Sequence, residues 1–422
     1  MKIITKKISY DELLAIPEEM HKKPRKQPAW VRPALKWISK IPLTDNHFTY
    51  EKIGMEKLGK NEPCIVLMNH SSFIDLEMVA YLMADREYHI VCTKDGFIGL
   101  GPILRYIGCI STRKFINDIT LVKDMHYVLN DLKASVVLFP EASYCFDGTT
   151  TTLPDSLGKC IKMLKMPVVV IKTKGNFLQN PLYNELKRRR VSVSAEMKSM
   201  LSPEDISGMT LDEINQAIAE SMSYDHFRDQ QESGVLVKED FRANGLHRVL
   251  YKCPHCMKEG TTEGKGTKLI CHNCKAEYEL TEQGYLKALN TEGKFDHIPD
   301  WYKWQRECVK EELEQGTYQL DLDVNLYALK DTKCMYQIGS GHLHHDIDGF
   351  HLTGCEGKLD YYQKPRSSYS LYSDFYWYEI GDVICIGDEK IQYYCLPVHQ
   401  ENVAAKARLA TEELYKMVKR RK

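Results

Sequence analysis

Two cysteine pairs, CPHC at 253 to 256 and CHNC at 271 to 274, constrain one stretch of this chain more tightly than any other feature. The pattern is C-x2-C, fourteen residues, then C-x2-C. Each pair can turn both thiolates to one side, and the spacer suits a β-hairpin that brings the two knuckles around one tetrahedral zinc ion. Four thiolates, from Cys253, Cys256, Cys271 and Cys274, close the coordination shell. The Zn2+ is therefore expected to be structural. His255 and His272 lie inside the pairs and read as surface residues. Glu259, Glu263, Glu277 and Glu279 interrupt the lysines around this ribbon, so it has no basic stripe. A protein or lipid contact, or simple stapling of a small domain, is a better expectation than nucleic acid.

The rest of the composition points the same way. At 422 residues, two or three domains with their own cores are expected. A formal net charge of -1 argues against a nucleic-acid binder driven by bulk electrostatics. Fourteen cysteines could suit an extracellular disulfide scaffold, but MKIITKKISYDELLAI has no apolar core of a secretory signal. With four cysteines assigned to metal and the others scattered like buried thiols, a reducing cytoplasm is expected. The longest apolar runs, such as VVLF and MPVVVI, are too short to span a bilayer.

From about 61 to 235, short β-rich runs (CIVLMN, HIVCT, SVVLF, PVVVIK) alternate with helical patterns, which predicts an α/β domain with a mixed or parallel sheet flanked by helices. Its last helix is expected to start at Thr210 as cap and to carry Leu211, Ile214, Ile218 and Met222 on one face. The zinc ribbon is expected at 246–286 and a helical linker at 287–320. Residues 321–422 read as short strands broken by Gly and Asp turns, then a helical run. That order resembles a pleckstrin-homology-like or GRAM-like β domain. Residues 1–60 are basic and aromatic. Trp30, Ala34, Trp37 and Ile41 recur at near-helical spacing among lysines and arginines, with helix expected only after Pro33. Such a segment suits an anionic membrane surface, or an ordinary helix packed on the domain.

Chemistry concentrates at 65–75, IVLMNHSSFID. In one continuous helix, residues five apart point roughly 140° from each other, so His70 and Asp75 can meet only if a helix begins between them. Ser71 and Ser72 are natural caps for such a start. Two readings stand at this point. Ser72 and Asp75 form a capping box, or Asp75 orients His70 as a general base. One carboxylate is not expected to serve both partners fully.

Further segments follow in order. NHSSFID is similar to the H-x4-D block of the glycerolipid acyltransferase family, the 1-acylglycerol-3-phosphate acyltransferases. RYIGCISTRKF at 105–115, LFPEASY at 138–144 and MPVVVIK at 166–172 resemble its second, third and fourth blocks. The resemblance covers about 60 to 230. It implies acyl transfer from acyl-CoA or acyl carrier protein (acyl-ACP) to a lipid acceptor hydroxyl, in phospholipid biosynthesis. His70 and Asp75 would be the catalytic dyad, and Gly108, Arg113, Lys114 and Glu141 would bind the acceptor. Neutral imidazole suits the base role near pH 7, and no serine nucleophile is needed. The enzyme would sit peripherally on the inner face of a membrane. The sequence departs from the family in the third block, with Ala142 in place of glycine and Tyr144 in place of arginine. These departures keep open two alternatives: a non-catalytic lipid- or protein-binding adaptor, and a thioesterase in which water replaces the acceptor.

Overall fold

The computed structural model describes residues 3–116, 118–399 and 402–420. Strands β1 (Thr5–Lys7), β2 (Thr49–Ile53), β3 (Ile65–Met68), β4 (Tyr88–Thr93), β5 (Cys109–Thr112), β6 (Ser135–Leu138), β7 (Val168–Lys174) and β8 (Ser194–Leu201) come first in the chain. All but β1 form one seven-stranded sheet, in the order β2-β8-β7-β3-β6-β4-β5. Every pairing in it is parallel except β7 with β8, so the sheet is mixed, as expected.

Strand β3 lies at the centre and is buried on both faces, which is why it reads as an unbroken apolar run. Ile65 and Leu67 enter one core with Val128, Ile161 and Ile218, from the helices Ile119–Asn130, Ser156–Leu164 and Leu211–Ser221. Val66 and Met68 enter the opposite core with Met78, Leu82 and Leu43, from the helices Ile74–Leu82 and Val31–Asp45. The period of two along one strand thus divides helices between two layers. The Leu211–Ser221 helix starts at Thr210 with a complete capping box to Glu213.

The basic N-terminal helix runs Val31–Asp45, beginning earlier than Pro33. Pro33 falls in the first turn, where backbone N–H groups have no helical partner to lose. The expectation that Pro33 must precede the helix is corrected by that geometry.

The cysteine region contributes β9 (Thr262–Lys265), β10 (Lys268–Cys271), β11 (Glu277–Leu280) and β12 (Leu286–Ala288), an antiparallel sheet in chain order. The segment expected as a linker holds the helix Ile298–Glu314, which is packed rather than free. Its buried Trp301 lies edge-on to Tyr278 of the ribbon, and its Nε1–H donates to the Lys252 carbonyl at 3.0 Å.

The C-terminal region is β-rich and ends in a helix. It comprises β13 (Leu320–Leu329), β14 (Met335–Asp346), β15 (Gly349–Gly354), β16 (Leu359–Gln363), β17 (Tyr372–Trp377), β18 (Gly381–Gly387), β19 (Gln392–Pro397) and the helix Val403–Arg420. Two antiparallel meanders join through β13 and β19, giving the order β16-β15-β14-β13-β19-β18-β17. Strand β13 alternates buried and exposed residues along most of its length, the mark of a sheet with one wet face. Strand β1 joins this sheet in parallel with Met335–Gln337 of β14. Nothing in the sequence signalled that pairing.

Candidate active site and metal centre

Strand β3 ends at Met68, and Asn69 through Ser72 carry the chain to the helix Ile74–Leu82. His70 therefore sits at the carboxyl end of a central strand, where α/β sheets open to ligands. Its Nδ1 lies 3.0 Å from Asp75 Oδ2. The same oxygen accepts the backbone N–H groups of Ser71 at 2.8 Å and Ser72 at 3.1 Å. The other oxygen, Oδ1, accepts Asn176 Nδ2 at 2.7 Å. Asp75 thus serves both the imidazole and the helix start, contrary to the expectation that one carboxylate could not. The expected serine cap is not formed: the cap position falls on Phe73, and the buried Ser72 hydroxyl has no partner.

The carboxylate is an acceptor, so the His70 proton sits on Nδ1 and leaves the Nε2 lone pair available. The side chain is 19% exposed, against 0% for Asp75. Ring centroids of Phe139 and Tyr144 lie 4.2 and 4.5 Å from the imidazole, forming its walls. Tyr144 thereby puts a ring against His70 where the resembled family has a cation. Ala142 adopts φ 56°, the left-handed conformation that glycine takes without cost.

Glu141 is fully buried. It accepts the His70 N–H at 3.3 Å, the Thr151 N–H at 3.0 Å and the Tyr224 hydroxyl at 2.9 Å. Its oxygens thus brace the backbone of His70 beside the imidazole. Burial outweighs these donors and raises its pKa to about 7. Gly108 is likewise a structural turn. It has φ 90°, its N–H bonds the Arg105 carbonyl, and an added Cβ would crowd the Tyr88 carbonyl at 3.3 Å. Its own N–H is thus engaged within the turn.

Arg113 and Lys114 follow β5, and the C-terminal sheet packs on Lys114. Lys114 Nζ stands 3.3 Å from the Tyr372 ring centroid, and its carbonyl accepts Gln392 Nε2. Arg113 lies near enough to Lys94 to help depress that lysine's pKa, after burial as the main cause. The structure brings His70, Asp75 and Glu141 together and leaves Lys114 packed against a different domain. Sequence reasoning missed Asn176, Thr151 and Tyr224, which complete this network. Only Asn176, directly beyond the fourth apolar strand, had a positional signal. The buried His226, with Nε2 3.3 Å from Ser71 Oγ, also escaped notice; burial lowers its pKa to about 4, so it stays neutral.

At the ribbon, the four cysteine sulfurs lie within 4.8 Å of one another. Sulfurs of Cys253 and Cys274 are 3.6 Å apart, and those of Cys256 and Cys271 are 3.7 Å apart. Tetrahedral Zn–S bonds of about 2.3 Å require edges of about 3.8 Å, so the donor set fits zinc. Met257 and Lys275, each following its pair, both take positive φ, which lets the knuckles close alike. His255 and His272 bond Tyr278 and Glu263 instead of pointing at the sulfurs.

Residues 49–173 match the family described as Acyltransferase. No curated protein matches the sequence. Among solved structures, the chain is similar to the 1-acyl-sn-glycerophosphate (LPA) acyltransferase PlsC from Thermotoga maritima, at 16% identity and a TM-score of 0.34, over 45% of this chain and 78% of that one.

Two measurements check this site. The folded state holds the Glu141 proton more tightly than the unfolded chain, where a glutamate titrates near 4.5. Stability from this group is therefore full below that value and is lost as pH rises through about 7, a change on the order of 3 kcal/mol. Urea midpoints should fall across that window, and Glu141→Gln should flatten the fall; an unchanged slope in the variant refutes the assignment. Purified protein should contain zinc, and Cys271→Ser should lose it together with thermal stability; full zinc content in the variant would exclude the four-thiolate site. The chain carries an acyltransferase-family domain at residues 49–173.

Proposed function

We propose that this protein is an O-acyltransferase that moves a fatty acyl group from acyl-CoA or acyl-ACP to a glycerolipid hydroxyl, with His70 as general base. The observation that carries the proposal is the His70–Asp75 contact at 3.0 Å inside the family-matched segment, with the imidazole 19% exposed. His70 Nε2 takes the hydroxyl proton as the acceptor oxygen attacks the thioester carbonyl carbon. Asp75 stabilises the imidazolium that forms and fixes its orientation. Collapse of the tetrahedral intermediate expels the thiolate, which recovers the proton from His70. The acyl ester and a free thiol leave, and the imidazole returns to its starting state.

The first acceptor to test is 1-acylglycerol-3-phosphate. The packing of Lys114 on Tyr372 and the exchange of arginine for Tyr144 favour a wider panel of acceptors.

A lipid substrate requires access to a membrane surface. Among the described residues, no helix is long and apolar enough to cross one. The helix Val31–Asp45 instead exposes Trp37, Ile38 and Ile41, and Trp30 precedes it. Trp30 approaches Tyr106, next to exposed Ile103, and Phe73 beside His70 is 64% exposed. Aromatic and aliphatic residues with Lys36 and Lys40 nearby support peripheral binding on an anionic, cytoplasmic leaflet.

Incubation with labelled acyl-CoA and a lipid extract should yield one acylated product. His70→Ala should lower its rate by about 10²–10⁴-fold, as expected for removal of a general base. Undiminished transfer by the variant would defeat the proposal. Separately, Trp37→Glu with Ile41→Glu should reduce co-sedimentation with anionic vesicles while leaving the melting temperature unchanged. Equal sedimentation would remove this helix from the membrane contact.

A further inference from the structure

Three consecutive residues beyond the family-matched segment, Tyr224, Asp225 and His226, reach beneath the His70–Asp75 pair. The Tyr224 hydroxyl lies 3.1 and 2.9 Å from the two oxygens of Glu141, and Glu141 accepts the His70 N–H. His226 Nε2 lies 3.3 Å from Ser71 Oγ, and the Ser71 N–H donates to Asp75 Oδ2 at 2.8 Å. The segment thus bears on each member of the pair, in each case through one intermediate residue.

The segment is itself tied down on both sides. The Tyr224 N–H donates to Thr150 Oγ1 and the His226 N–H to the Gly148 carbonyl, both at 2.9 Å. Between them, Asp225 caps the helix His226–Ser233 through the Arg228 N–H and bonds His297 Nε2 at 3.2 Å. His297 directly precedes the helix Ile298–Glu314, so the segment is anchored to the ribbon side of the molecule. The rings of Tyr224 and His226 are 4.7 Å apart between centroids. On its other side the imidazole lies parallel to Phe177, the neighbour of the Asn176 that bonds Asp75.

His226 is the informative member. It has no exposure to water, and its Nδ1 has no partner, so Ser71 is its side chain's polar attachment. A buried imidazole with one nitrogen vacant costs more than an apolar ring of the same shape. A phenylalanine would serve packing against Phe177 better. It could not hold the Ser71 hydroxyl.

We propose that Tyr224 and His226 are positioning residues, which set the His70 backbone and the Asp75 carboxylate for the acyl transfer proposed above, on which this role rests. Both side chains are buried, so they reach the reacting atoms only through Glu141 and Ser71. A general base misplaced by about 1 Å loses on the order of 10²-fold in rate. Loss of either bond therefore acts on kcat and spares KM.

Tyr224→Phe and His226→Phe keep the rings and remove the bonds. Each should lower kcat by about tenfold or more, with KM unchanged. His226→Gln, whose amide can meet Ser71 Oγ as donor or acceptor, should restore most of the loss. Ser71→Ala, which keeps the backbone N–H to Asp75, should match His226→Phe, and the double variant should fall no further. Thermal melts verify folding, and if His226→Phe is unfolded, Ser71→Ala carries that arm of the test. A second readout needs no turnover: the downfield proton resonance of the His70 Nδ1–H bond to Asp75, identified by its loss in His70→Ala. It should shift in the folded variants, and a wild-type resonance in them overturns the proposal whatever the rate. Undiminished transfer by His70→Ala defeats the acyl-transfer reading instead, and the two failures are read separately.

Discussion

The carboxylate of Asp75 holds the site together. Four donors from three directions converge on a side chain with no exposure to water: an imidazole, two backbone N–H groups and the Asn176 amide. A buried carboxylate is tolerated only when its acceptor capacity is filled in this way. The cost of burial is offset by fixing three separate pieces of chain at once: the turn after β3, the start of the following helix, and the segment after β7. The apparent competition between capping and orienting disappears, because an oxygen has room for more than one hydrogen bond. The His70 ring inherits its position from this knot, and Glu141 fixes the backbone of the same residue from the other side.

How far the sequence alone led depended on the range of the interaction. The four-cysteine cluster was legible because two short spacings and a hairpin-length spacer determine it locally. His70 and Asp75 were legible for the same reason: five residues and one helix start decide whether they touch. The central sheet could be read because β3, β6 and β7 are buried on both faces and leave continuous apolar runs. Tyr224 was not legible, since it reaches Glu141 across 83 residues with no pattern of its own. Nor was the fate of Lys114. Its charge suggested an anion, and only the folded chain shows an aromatic ring from β17 beneath it. Nor was the burial of Glu141 legible: a carboxylate in the third motif carries no local sign that the fold will close over it and bond it to the His70 backbone.

The C-terminal region is therefore part of the surroundings of the acyltransferase-family domain and not a detached module. Phe146 packs against Phe375 with ring centroids 4.2 Å apart, and Ser368 donates to the Phe115 carbonyl. Ile98 and Phe115 share an apolar cluster with Trp377, Tyr372 and Tyr394. Both loops that resemble acceptor blocks thus rest on strands supplied from the far end of the sequence. The cysteine ribbon is joined in turn through Trp301 and the Lys252–Glu312–Lys406 charge cluster. Partly buried, networked ion pairs of this kind fix relative orientation more than they add stability.

The pairing of β1 with β14 bears on the order of assembly. Residues 5–7 emerge during synthesis long before Met335–Gln337 exist, and the Tyr10 hydroxyl waits for that of Tyr393, 383 residues later. Loop-closure entropy makes such contacts slow to form and late in folding. The acyltransferase-family domain can build its seven-stranded sheet from residues 49–201 in the meantime. Closure of the N-terminal segment onto the last domain then becomes the final stitch, one that draws the two ends of the molecule over the finished middle.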